Sequence, residues 1–146
     1  MIRWAEVADI PVLADMAERM MADSTFSTLA FDREKFSKHC ETVIGYGFAM
    51  VAIKDGNIIG AMLGDASAAW YSMDLIGFDY GLYVEPEHRS GLIAAKLVRL
   101  FEKWCKDMGV KQIRLGTSTG NNEASRLYQA LGFTVTGELF FKDLGD

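Results

Sequence analysis

The 146-residue chain is short of cysteine, proline and histidine, with two of each, and each scarcity excludes something. Cys40 and Cys105 fall in separate helix-like segments, and nothing resembles CxxC. Free buried thiols of a reducing compartment are therefore expected, rather than a disulfide scaffold or a thiolate metal site. His39 and His88 do not cluster with other ligand-type residues, so no metal is expected. Pro11 and Pro86 sit at a helix start and at a strand-to-helix junction, the places where proline does least harm. No apolar run approaches the roughly 20 residues that span a bilayer, and "MIRWAEVADI" lacks signal-peptide architecture. A soluble cytoplasmic protein is expected, with no membrane partner. Positive charge is also scarce: 15 Lys and Arg face 20 Asp and Glu, a net charge of −5. That balance argues against a general nucleic-acid footprint and fits a cationic or neutral partner.

Half of the residues are hydrophobic and 12% aromatic, enough for one packed domain over residues 1–146. "MIRWA" reads as a short opening strand. Asp9 is placed to cap a helix with Pro11 in its first turn and Val12, Leu13, Met16, Ala17 and Met20 on one face. Asp32 restarts a helix with Phe36, Cys40 and Val43 spaced for one face. Two apolar runs then flank Asp55-Gly56, a strong hairpin signal. "GFDYGLYVEP" is a third strand, followed by a helix from about Gly91 to Met108. "KQIRLGTST" is a further strand, and "NNEASRLYQALGF" a helix ending at Gly132, the expected left-handed cap. "TVTGELFFKDL" closes the chain as one or two strands. The order is β-α-α-β-β-β-α-β-α-β-β, an α/β (α+β) domain with a mixed central sheet and about four helices.

Two stretches bear on function. Arg89-Ser90-Gly91-Leu92-Ile93-Ala94 lies where a strand hands over to a helix, whose first N–H groups lack internal partners and favour an anion. Taken alone, such a turn is more often a plain chain reversal. The second stretch places Asn121, Ala124, Leu127, Tyr128, Gly132 and Phe133 at the spacing N-x-x-A-x-x-L-Y-x-x-x-G-F.

Together with "VEPEHRSGLIAAKL", this pattern closely resembles the GCN5-related N-acetyltransferase (GNAT) superfamily, and the element order extends the resemblance over nearly the whole chain. The resemblance implies the GNAT fold and an acyl-CoA-dependent N-acyltransferase, with acetyl-CoA as co-substrate. It implies that Arg89 to Ala94, with Arg89 at the Q/R position and Leu92 where a glycine is usual, bind the diphosphate of acetyl-CoA. It further implies that Asn121 and Ala124 line the cofactor, and that Tyr128 protonates the leaving thiolate. Backbone groups of Val84 are expected to be free for the pantetheine amides.

For the base, period-two alternation would put Asp79, Gly81, Tyr83 and Glu85 on one face. Asp79 is the first candidate and Glu85 the second. As a solvated carboxylate, Asp79 would be ionised at neutral pH and act by holding a water and attracting the amine. Phe26, Phe31, Trp70 and Tyr71 are expected around the acceptor mouth, although plain loop packing explains them equally well. The acceptor would be a small-molecule or peptide amine. A non-catalytic acyl-CoA-binding module is a rival reading. A toxin-like domain acetylating aminoacyl-tRNA is another, disfavoured by the −5 charge. A homodimer is compatible with the sequence but not indicated by it.

Overall fold

The computed structural model describes residues 1–89, 92–117 and 122–145. Five strands form one sheet in the order β1-β2-β3-β4-β5. They are β1 (Ile2–Trp4), β2 (Phe48–Lys54), β3 (Asn57–Ala68), β4 (Leu75–Val84) and β5 (Gln112–Arg114). The first four run antiparallel, whereas β5 joins β4 in parallel. The helices are α1 (Ile10–Ala22), α2 (Arg33–Tyr46), α3 (Ile93–Asp107) and α4 (Asn122–Ala130). None is long and apolar enough to cross a membrane.

Local chemistry accounts for most boundaries. Asp55 and Gly56 have φ of 52° and 79°, the pair of positive values that a two-residue hairpin turn requires. Asp32 caps α2 by accepting the Lys35 N–H at 2.9 Å. Gly132 follows α4 with φ of 96°, and the Phe133 N–H returns to the Tyr128 carbonyl at 2.9 Å. Asp9 occupies the N-cap position of α1, yet its side chain does not cap that helix. It accepts the Glu6 N–H and a two-pronged contact from Arg3 at 2.8 and 3.1 Å. Arg3 holds the Asp9 carboxyl below the usual range against the opposing effect of burial.

The sheet divides the core into two layers. On one face α1 and α2 bury Leu13, Met16, Cys40 and Val43 against Val51, Ala61 and Leu63. On the other, α3 and α4 bring Leu97, Val98, Phe101, Cys105 and Tyr128 against Phe48 and Met62. Val12, expected on the core face of α1, is exposed instead.

The closing strands expected in "TVTGELFFKDL" are not formed among the described residues. The edge that could pair with them is only three residues long, and the segment turns toward the α1–α2 loop. There Phe141 meets Phe26 edge to face, and Thr28 donates to Asp143 at 2.7 Å. Side-chain contacts thus take the place of ladder hydrogen bonds.

Candidate active site

The site is built around a strand that loses its partner. β4 pairs with β5 only from Ile76 to Phe78, while β4 itself continues to Val84. Residues 79–84 therefore have no β5 strand beside them, which leaves an opening along that side of β4. On the side of β3 the register also slips. Leu63 faces Gly81, but the next residue, Gly64, faces Asp79. Tyr80 is the extra residue of a β-bulge.

The bulge overturns the one-face reading of β4. A side chain at Gly77 would meet Cys105 of α3, and one at Gly64 would meet Phe101 of α3, whereas one at Gly81 would meet Met20 of α1. Asp79, two residues from Gly77 and paired with Gly64, accordingly faces α3 and α4. Gly81 and Tyr83 face α1. One inserted residue has turned Asp79 away from the side shared by Gly81 and Tyr83 and toward Tyr128.

Asp79 is also not the solvated strand-end charge expected from sequence. Burial raises its pKa above the ordinary carboxylate value, against hydrogen bonds from the Gly116 N–H, at 3.2 Å, and from its own backbone. Gly116 lies just beyond β5, so this bond spans the opening. Tyr128, on α4, is buried. Its phenol is pushed well above the usual value by burial first and by the charge of Asp79 second. Both groups lie on the α3–α4 side of the sheet, and the phenol stays protonated at neutral pH.

Glu85, the second base candidate, is tied to Arg19 of α1. That pair closes a cluster around Tyr83, with the guanidinium carbons of Arg19 and Arg89 at 5.8 and 5.3 Å from its ring centre. The bridge engages Glu85 on the α1 side of the sheet, opposite the side of Tyr128. The Val84 carbonyl accepts Arg89 Nε at 2.7 Å, and a carbonyl oxygen has a second lone pair. Sequence reading did not find Arg19, Tyr83 or Gly116, since each acts through a contact far away along the chain.

The start of α3 fits a diphosphate. Leu92 is its N-cap, with no side-chain cap. The first intrahelical bond runs from the Lys96 N–H to the Leu92 carbonyl, which leaves the N–H groups of Ile93, Ala94 and residue 95 without helical acceptors. Leu92 has φ of −96°, so no glycine is required there, and its side chain is exposed. Ser90, Gly91 and Asn121 lie outside the described residues. Ala124 packs beside the α3–α4 core layer, on the face that carries Tyr128.

The loop aromatics part company. Phe26 sits on Phe141 and Phe31 on Phe36, while Trp70 and Tyr71 contact each other at the β3–β4 turn. Tyr71 accepts from Arg114 of β5 at 2.7 Å. The surface crevices of about 260 and 300 Å³ are lined by α3 and residues near 131–133, one of them also by the start of β5. They lie away from the opening beyond Phe78.

β4 thus runs past its β5 partner beside an uncapped helix start, with Asp79 and Tyr128 on the same side of the sheet. The chain belongs to the acetyltransferase (GNAT) family, whose sequence model matches residues 13–133. It is similar to human N-acetyltransferase 8, with 40% identity over 62 residues, 42% of this chain and 27% of the human protein. The chain thus matches about a quarter of the length of that relative. Aminoglycoside N(6')-acetyltransferase type 1 of Salmonella typhimurium is 26% identical over 138 residues, covering 94% of this chain and 82% of the relative. The fold matches a predicted acetyltransferase from Clostridium acetobutylicum, solved with acetyl-CoA, at a TM-score of 0.81 and 18% identity. That match covers 99% of this chain and 96% of the other.

Proposed function

We propose that the protein transfers an acetyl group from acetyl-CoA to a primary amine by direct attack in a ternary complex. The observation that carries this reading is that β4 runs on to Val84 after its pairing with β5 ends at Phe78, with Asp79 held there by the Gly116 N–H. When bound, acetyl-CoA supplies a thioester carbonyl as electrophile and a thiol as leaving group. The free edge of β4 beyond Phe78 suits an extended amide-bearing arm, and the uncapped start of α3 suits a diphosphate. Arg89, now on the Val84 carbonyl, is close enough to exchange that contact for the anion.

The remaining chemistry is proton movement by this chain's own groups. An ammonium must lose a proton before its nitrogen can attack. Asp79, half-buried and raised in pKa, is a better proton acceptor than a solvated carboxylate. Tyr128 stays neutral and presents an O–H for the sulfur that leaves. The Gly116 N–H holds Asp79 in place across the opening. Tyr128 and Asp79 together favour an enzyme over a pocket that only binds acyl-CoA. The aminoglycoside N(6')-acetyltransferase relative supports a small-molecule amine as acceptor, with a peptide amine as the alternative.

The test is thiol release from acetyl-CoA with a panel of amines, polyamines and peptides, in wild type and Asp79→Asn. Wild type should release thiol only with an acceptor present, and Asp79→Asn should lower kcat/KM by roughly 10²-fold. Acetyl-CoA binding without turnover on any acceptor would leave the binding-module reading in its place.

A further inference from the structure

Asp79 and Tyr80, neighbours in β4, point to opposite faces of the sheet by ordinary alternation, Asp79 to the α3–α4 side and Tyr80 to His39 of α2. Tyr80 is 41% exposed, and its hydroxyl donates to Asp65 Oδ2 of β3 at 3.3 Å. The imidazole of His39, on α2, meets the Tyr80 ring edge to face at 4.4 Å, and Phe78 meets it at 5.4 Å. The other oxygen of Asp65 accepts the Ala66 N–H at 2.8 Å. Among the described residues no lysine or arginine pairs with Asp65, although five other carboxylates have such partners.

A half-buried carboxylate without a cation, beside the ring of a partly exposed tyrosine, is the chemistry that recognises an ammonium group. The carboxylate supplies a charge-assisted hydrogen bond, and the ring supplies a cation–π face. Tyr80 follows Asp79 directly in β4, so the cluster and Asp79 stand at the same point of the strand on opposite faces of the sheet. A molecule on the α2 side that rested one positive group on the cluster would bring a second nitrogen to the part of β4 that carries Asp79.

We infer that Asp65, Tyr80 and His39 form a subsite for a second cationic group of the acceptor, which makes the substrate class a diamine or polyamine. The inference rests on the acyl-transfer reading and adds the acceptor class to it. The net charge of −5 would help draw such a molecule to the protein.

The experiment compares kcat/KM for α,ω-diaminoalkanes and n-alkylamines of equal length, with acetyl-CoA, in wild type, Asp65→Asn and Tyr80→Phe. Wild type should prefer the diamine at its best length by about tenfold or more, the size of one charge-assisted hydrogen bond. Asp65→Asn should bring the ratio close to one. Tyr80→Phe, which keeps the ring and frees the carboxylate, should keep most of it. Acetyl-CoA titration of both variants checks that they fold. A ratio near one in wild type, or one unchanged by Asp65→Asn, overturns the subsite and leaves acyl transfer standing. If no amine is acetylated, the acyl-transfer reading fails, and calorimetric titration of the diamine without acetyl-CoA decides the subsite. Binding to wild type that weakens about tenfold in Asp65→Asn supports it, and equal or absent binding overturns it.

Discussion

Asp79 is held in a place that costs the folded protein something. Burial raises its folded pKa above the ordinary carboxylate value, so the folded chain holds the proton more tightly than the unfolded chain. That contribution favours folding below the unfolded pKa of about 4 and is lost as pH rises through the folded value. At neutral pH the ionised carboxylate therefore opposes folding. Asp79→Asn should raise Tm at pH 7, and the gain should shrink toward zero near pH 4, as thermal denaturation across that range will show. The same shift predicts the acid limb of the kcat/KM profile. Activity should rise with pH as Asp79 ionises, above the ordinary carboxylate range, at a position that is the same for amines of different ammonium pKa. A limb that follows the acceptor instead would return Asp79 to a water-holding role. Arg89 is expected to matter less, because much of the diphosphate contact is backbone N–H. Calorimetry on Arg89→Ala should show acetyl-CoA affinity reduced by about tenfold or less.

At the scale of elements, the bulge separates what could be read in advance from what could not. The Asp55-Gly56 turn, the Asp32 cap and the Gly132 helix end were legible because each depends on one or two residues' own conformational preferences. The face of Asp79 was not. Period-two alternation holds only in unbroken register, and Tyr80 becomes an extra residue only through pairing with β3. The strand-to-helix junction before α3 was legible too, since such a junction is local. The Arg19–Glu85 bridge links positions 66 residues apart in sequence, and neither residue alone signals the pairing. The bulge leads to a paired prediction. A Cβ at Gly64, opposite Asp79, would lie 2.7 Å from the Phe101 ring and 2.9 Å from the Phe78 carbonyl. Gly64→Ala must move backbone or a packed ring, and should cost roughly 1–3 kcal/mol in denaturant unfolding while lowering kcat. A Cβ at Gly81 meets only the flexible end of Met20, at 2.8 Å. Gly81→Ala should be much milder. Equal effects would mean that the bulge does not position Asp79.

For the molecule as a whole, the sheet acts as a partition with a gap. One layer, with α3 and α4, holds the uncapped helix start, Tyr128 and Asp79. The other, with α1 and α2, holds the Asp65–Tyr80–His39 cluster, and β4 belongs to both. The C-terminal segment shows the limit of pattern reading at this scale. Its alternating apolar residues suit a strand, but a strand needs an edge, and β5 presents only Gln112–Arg114. Binding at the first layer should stabilise the whole fold. Acetyl-CoA at 100 times its Kd adds about 2.7 kcal/mol, so Tm should rise by roughly 5–10 °C for a chain of this size. No shift at saturating acetyl-CoA would contradict the proposed cofactor site.

The central claim is that Tyr128 gives a proton to the departing thiolate while Asp79 takes one from the amine, and Tyr128→Phe tests it most directly. With a good amine acceptor at saturation, steady-state thiol release should show kcat reduced by roughly 10²-fold or more. Acetyl-CoA affinity, measured by calorimetry on the same preparation, should be nearly unchanged. A variant that binds acetyl-CoA normally and keeps near-wild-type kcat would make Tyr128 a core residue of the α3–α4 layer and contradict the account.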